Sequence, residues 1–221
     1  MASTQFTVRG EAARRTPPQQ ATVRLTIASE DDQPGVAHDA VARSLEQVVA
    51  TITALHDPEA GPVTWFSQAQ LRTWSNRPWH PEGERLPPVH HASVPLQVRF
   101  IDFVALGQWI SGVIDVPCVA VDGVDWALAE QDEKSLEAEV RADAVRDALA
   151  RAQGYADALA LGAVRPIHLA DAGMLDGQGR DGHQPMAFAA RAAMPSDSPD
   201  FSFVPEDIVV RAVVDGRFAT D

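Results

Sequence analysis

The sequence predicts an α+β fold: a mixed, largely antiparallel sheet with two long helices and one short helix packed on one face. Three observations carry that expectation. Segments whose apolar residues recur at every second position alternate with segments in which they recur at every third or fourth. Two β-β-α units follow one another without a shared sequence period. The 221 residues, 45% hydrophobic and 22% charged, suffice for a core that hides on the order of 70% of the unfolded surface.

Taken in order, Thr4 to Glu11 is a short strand candidate, and Pro17-Pro18 turns the chain into Gln20–Ser29, where Ala21, Val23, Leu25 and Ile27 share one face. After Pro34-Gly35 the period lengthens. Val41, Leu45, Val48, Ile52 and Leu55 line one side of a helix that ends near His56-Asp57-Pro58. Val63–Asn76 and His90–Phe100 read as long strands around a loop, Arg77 to Gly83. Asp102 is placed to cap a short helix with Val104, Leu106, Trp109 and Ile110 inward. From Cys118 to Ala129 strand character returns, and the apolar phase slips from odd to even positions at Asp122-Gly123, as a bulge would cause.

Asp132 to Leu161 is the most helical stretch, with an alanine-rich apolar side and Gly162 as the expected stop. Ala163–Ala170 and Pro205–Phe218 complete the strands around a Gly/Pro/Ala-rich excursion, 171–199. The expected organisation is one domain over 1–221, divided into β-β-α sub-units of about 1–88 and 89–221.

Bulk charge narrows the partners. Eighteen Lys and Arg against 31 Asp and Glu leave a net charge of −13, which repels nucleic-acid phosphate. No apolar run approaches the ~20 residues of a membrane-spanning helix. The start, Met1-Ala-Ser-Thr-Gln-Phe, lacks the basic and apolar parts of a secretory signal. The chain as written is therefore expected in the cytoplasm, or in the periplasm or outside the cell if a signal segment was removed. The single cysteine, Cys118, among valines, reads as a buried strand thiol.

The order of elements, with Thr7-Val8-Arg9-Gly10-Glu11 ending the first strand, Ala21-Thr-Val-Arg-Leu after a Pro turn, a long helix from Ala37, the Val119–Leu128 segment and the alanine-rich run Arg141–Gly162, resembles the SIMPL-domain family. That resemblance covers Phe6 to Phe218. It implies an α+β fold, assembly of some members into rings or larger oligomers, and frequent export to the periplasm or envelope; one mammalian relative is described as a signalling adaptor. It implies no catalytic motif.

The residues themselves offer little chemistry. His90 and His91 are adjacent on a strand start and point to opposite faces, which suits solvated histidines at a loop edge better than a shared metal. The other histidines lack the H-x-H or H-x-x-x-H spacing of a ligand pair. Asp176 to His183 has the look of a calcium loop but puts Arg180 at the fifth position, where a cation repels Ca²⁺. No G-x-S-x-G marks a serine nucleophile. Five Trp stand against one Tyr: Trp109 and Trp126 suit a core, whereas Trp74 and Trp79, beside Arg77 in a Pro-rich stretch, suit a contact surface.

The expected function is accordingly non-catalytic: self-association or binding of another protein, with Trp74, Arg77 and Trp79 as interaction residues and with no cofactor or metal. Two alternatives come from other classes. One is a hydrolase-type enzyme with a site gathered from His90, His168, Asp122 and Asp125; the other is a carrier holding an apolar ligand between the alanine-rich helix and the sheet.

Overall fold

Eight strands and three helices make up the described residues, 3–82, 84–175 and 203–220, of the computed structural model. In chain order they are β1 (Gln5–Thr16), β2 (Gln20–Asp31), α1 (Pro34–Leu55), β3 (Val63–Gln68), β4 (Arg72–Asn76), β5 (Val89–Phe100), α2 (Phe103–Val113), β6 (Val119–Ala127), α3 (Glu130–Ala158), β7 (Val164–Asp171) and β8 (Ile208–Thr220). The α+β class is as expected, but the strands form two antiparallel sheets instead of one. Each belongs to its own compact unit: β1, α3, β7 and β8 in one, β2 through β6 with α1 and α2 in the other.

The larger unit has strand order β3-β5-β2-β6, with β4 also paired to β5. Its core is the alternation read from sequence. Ala21, Val23, Leu25 and Ile27 of β2 face the same side as Ala92, Val94, Leu96, Val98 and Phe100 of β5, and all are buried. Helix α1 covers that side with Ala37, Val41, Val48 and Ile52. Asp102 caps α2 as expected, its Oδ1 accepting from the N–H groups of Val104 and Ala105 at 2.9 and 3.0 Å. Val104 itself is 71% exposed, because the inward stripe runs through Leu106, Trp109, Ile110 and Val113, and Val104 is off its spacing.

The expected long strand 63–76 is two strands, and the cause lies across the ladder. β3 pairs with Leu96–Phe100, β4 with Val89–Ser93. Between them Ala69 N–H donates to Pro95 O at 3.1 Å. A residue's N and O point to the same edge of its strand, so Pro95 faces this break with no donor to return. The bulge at Asp122 is present: Arg24 pairs with Gly123 and Leu25 with Val121, which leaves Asp122 without a partner residue in the register. Cys118 lies just ahead of β6, partly buried, with φ 66°.

In the smaller unit, β8 lies between β1 and β7. Phe6, Val8, Gly10 and Ala12 of β1 share a face with Val214, Gly216 and Phe218 of β8, and α3 covers it with Val140, Ala144, Ala148, Ala152 and Ala156. These five recur at every fourth residue. The stripe is narrower than the sequence implied, since Leu149 and Leu159 are 41% and 61% exposed. Small side chains bring helix and strand to backbone contact at Gly10, where no room remains between the alanine face and the sheet for a methyl group. The excursion 171–199, and with it the Asp176–His183 segment, lies outside the described residues beyond Leu175.

Helix α3 ends at Ala158, and its closing position falls two residues before Gly162. Ala160 takes the left-handed conformation, φ 57°, with Leu161 N–H donating to Ala156 O at 2.9 Å and Ala160 N–H to Asp157 O at 3.0 Å. This pair of bonds is the Schellman closure, in which the left-handed position is usually glycine. Ala160→Gly is therefore expected to stabilise the protein by about 0.5–1 kcal/mol by relieving the Cβ penalty, read as a rise in the urea midpoint at unchanged slope. A fall in the midpoint would contradict the assignment.

Candidate functional site

On the face of the five-stranded sheet turned away from α1, alternation decides which of the described residues are presented. Residues of β2 and β5 that do not enter the core are Thr22, Arg24 and Thr26, facing Arg99, Gln97 and Pro95 across the ladder, with Ser93 and His91 beyond. Two tryptophans join from the broken edge: Trp65 of β3 pairs with Arg99, Trp74 of β4 with His91.

Both indoles are fixed by a neighbour and remain accessible. The Arg99 guanidinium sits 5.1 Å from the centroid of the Trp65 ring, in range of a cation–π attraction worth ~0.5–1 kcal/mol at an exposed site. Trp74 stacks on His91, centroids 5.1 Å apart and planes within 10°. His91 is held in turn, with Nε2 2.6 Å from Asn76 Oδ1 and Nδ1 3.4 Å from Glu30 Oε2. Trp74 keeps half its surface exposed. It borders a shallow concavity of about 440 Å³ lined also by Thr26, Arg72, Ser93 and Pro95. Nearby, Thr26 Oγ1 donates to Asp122 Oδ2 at 2.7 Å and Arg24 pairs with Asp125. The bulge that displaces Asp122 is what lets two carboxylates reach this face.

Of the expected interaction residues, Trp74 is in the edge strand β4, while Arg77 and Trp79 lie in the segment after it. Arg77 Nη1 donates to Leu86 O at 2.8 Å, bridging the ends of that loop, and Trp79 is 83% exposed. Trp109 and Trp126 are core residues, as their sequence positions implied.

Within the larger unit, the residues of the hydrolase alternative are divided between the two faces of the sheet. His90 lies on the core-side alternation of β5, level with Asp31. Asp122 and Asp125, on the open side, are held by Thr26 and Arg24. His168 is in β7 of the other unit. Among the described residues, no three of His, Cys, Asp and Glu are grouped to hold a metal ion. The adjacent His90 and His91 stand at a strand start, as expected, being the second and third residues of β5, but they are half-buried instead of solvated.

Sequence reading missed Trp65 with Arg99, and His91 as the support of Trp74. The parity of Gln97 and Arg99 was available. What was missing was the register that sets β3 and β4 end to end along β5.

A family model described as "SIMPL: Protein of unknown function (DUF541)" matches residues 6–218. No curated protein matches the chain.

Proposed function

The chain belongs to the SIMPL family, and from that premise we propose that it is a non-catalytic protein that works by protein contact, chiefly with a second copy of itself, through the edge formed by β4 and the segment that follows. The observation that carries this reading is the exposure of Trp74 and Trp79, 50% and 83%, within a few residues of each other. Tryptophan and arginine supply a disproportionate share of interface energy, since a large rigid surface is desolvated at small conformational cost.

The edge itself supports a second copy as the partner. All five residues of β4 are exposed, and no described strand pairs its outer edge. An unguarded edge strand pairs readily with its own copy, antiparallel about a two-fold axis. With Trp74 central in the sequence Arg72-Thr-Trp-Ser-Asn76, such a pairing sets indole opposite indole and Arg72 opposite Asn76.

Light scattering on a sizing column at tens of micromolar tests it. The expected result is an assembly heavier than the 23.8 kDa chain that returns to monomer on Trp74→Ala and weakens at least about tenfold on Trp79→Ala, the loss typical of an anchor residue. A wild-type monomer, or an assembly indifferent to both substitutions, would remove the proposal.

A further inference from the structure

The stack that holds Trp74 also decides where its free side points. His91 lies on β5, inward of β4, and covers one face of the indole with centroids 5.1 Å apart and planes within 10°. The other face is turned away from β5, over the outer edge of β4. Trp74 is 50% exposed, and no described strand pairs with that edge.

The backbone of β4 has a matching asymmetry. Ala69 N–H donates to Pro95 O, so the Pro95 carbonyl faces the side of β5 on which β3 and β4 lie. N and O of one residue share an edge, and the edge alternates along a strand. His91, four residues from Pro95, therefore faces the same side. Trp74 is level with His91 and turns its own N–H and C=O inward to it. The outward-facing groups of β4 belong to Thr73 and Ser75, both exposed.

Those outward groups are complementary to themselves. When a second copy of β4 lies antiparallel about a two-fold axis at Trp74, Thr73 of each copy is level with Ser75 of the other, and each such pair exchanges two bonds. The two Trp74 residues then form the non-hydrogen-bonded pair between them, where Cα atoms approach to about 4.5 Å and cross-strand side chains are closest. We propose that the protein forms a closed assembly of two copies in this single register, in which the free faces of the two Trp74 indoles meet and complete a column of four rings, His91–Trp74–Trp74–His91, across the axis. This rests on the self-association proposed above and adds its register and its limit. A shift of one alternation either way cuts the overlap of the two strands from five residues to three and separates the indoles. Once the pair has formed, the outward bonds of Thr73 and Ser75 and the free indole faces are all occupied, so this edge admits no third copy.

Light scattering on the full chain, with far-UV circular dichroism, tests it. The expected mass is that of two chains, with no larger species as concentration rises. Sheet twist inclines adjacent strands by about 20–25°, so the paired indoles couple as two bands of opposite sign, which fade on dilution to monomer and are absent in Trp74→Phe. Register is read by cross-linking in air. Thr73→Cys mixed with Ser75→Cys should join two chains while neither variant joins to itself, since Thr73 stands about 8 Å from its own counterpart, beyond the ~7 Å Cα separation a disulfide spans. Thr73→Pro removes an outward N–H that β5 does not use and is expected to weaken the dimer at least about fivefold, one bond being lost from each copy. Should the proline lower the melting temperature, the cysteine mixture decides. A wild-type monomer overturns this inference together with the self-association. A dimer that lacks the coupled bands, withstands a folded Thr73→Pro, or cross-links Thr73→Cys to itself as readily as to Ser75→Cys overturns the register alone. Species larger than two copies that Trp74→Ala returns to monomer overturn the closure.

Discussion

Gly10→Ala is expected to cost at least about 3 kcal/mol, at the upper end of what overpacking a close-packed core costs, and to do so within the smaller unit. A Cβ at Gly10 would stand 2.1 Å from Ala144 O, 2.5 Å from Ala148 N and 2.7 Å from Ala148 Cβ, where carbon contacts normally open to ~3.5 Å. Two of those atoms are helix backbone, which cannot rotate away. Helix α3 would have to retreat by more than an ångström. That strips the alanine stripe from β1 and strains two polar attachments, Glu11 N–H donating to Asp147 Oδ2 at 2.9 Å and Arg14 reaching Glu139 and Asp143 at 2.6 and 2.7 Å. Hydrogen exchange is the sharpest readout: amides of β1, β8 and α3 lose protection while β2 and β5 keep theirs. Gly154→Ala on α3, where an added Cβ meets nothing within 4 Å, is the control and should stabilise slightly. Equal melting temperatures for Gly10→Ala and wild type would mean that α3 is not seated as described.

Phe100→Ala is expected to cost about 3–5 kcal/mol, the usual range for a buried ring. Phe100 ends β5, is fully buried, and pairs with Ala21 on one side and Val63 on the other. Its ring centroid is 5.3 Å from that of Trp109 at a tilt of 45°. Trp109 is anchored through Nε1–H to Thr51 Oγ1 at 3.0 Å, so α1, α2 and β5 converge on this pair and cannot collapse into the space left by the ring. Urea unfolding followed by tryptophan emission should show a lower midpoint at unchanged slope. A loss below about 1 kcal/mol would indicate that the core closes around the vacancy.

Local features were legible wherever one residue's chemistry decides them. The alternation of Ala21 to Ile27 fixed a half-buried strand, Asp102 announced a cap, and the phase slip at Asp122-Gly123 located a bulge, because a period-2 pattern cannot shift parity otherwise. Features decided by a partner were not. The break between β3 and β4 is caused by Pro95 on the neighbouring strand. The division into two sheets depends on β1 choosing β8, so that Arg9 meets Asp215 across 206 positions, and each strand alone reads the same whichever sheet it joins. The left-handed residue that closes α3 is Ala160, where closure of the backbone bonds outweighs the glycine preference that pointed to Gly162. At the candidate surface, exposure of Trp74 and Trp79 followed from their Pro-rich setting, while the Trp74–His91 stack and the Trp65–Arg99 pair needed the register of β5.

The pairing of β1 with β8 also sets a timetable for the nascent chain. Every strand of the five-stranded sheet lies between Gln20 and Ala127, a stretch that leaves the ribosome unbroken. β1 emerges ahead of it and β8 long after, so at ~5–20 residues per second the first strand spends on the order of 10–40 s without the neighbour that completes its ladder. Its arginines, at Arg9, Arg14 and Arg15, are well placed for that interval, since like charges on solitary ribbons discourage their stacking with one another before translation delivers the proper mate.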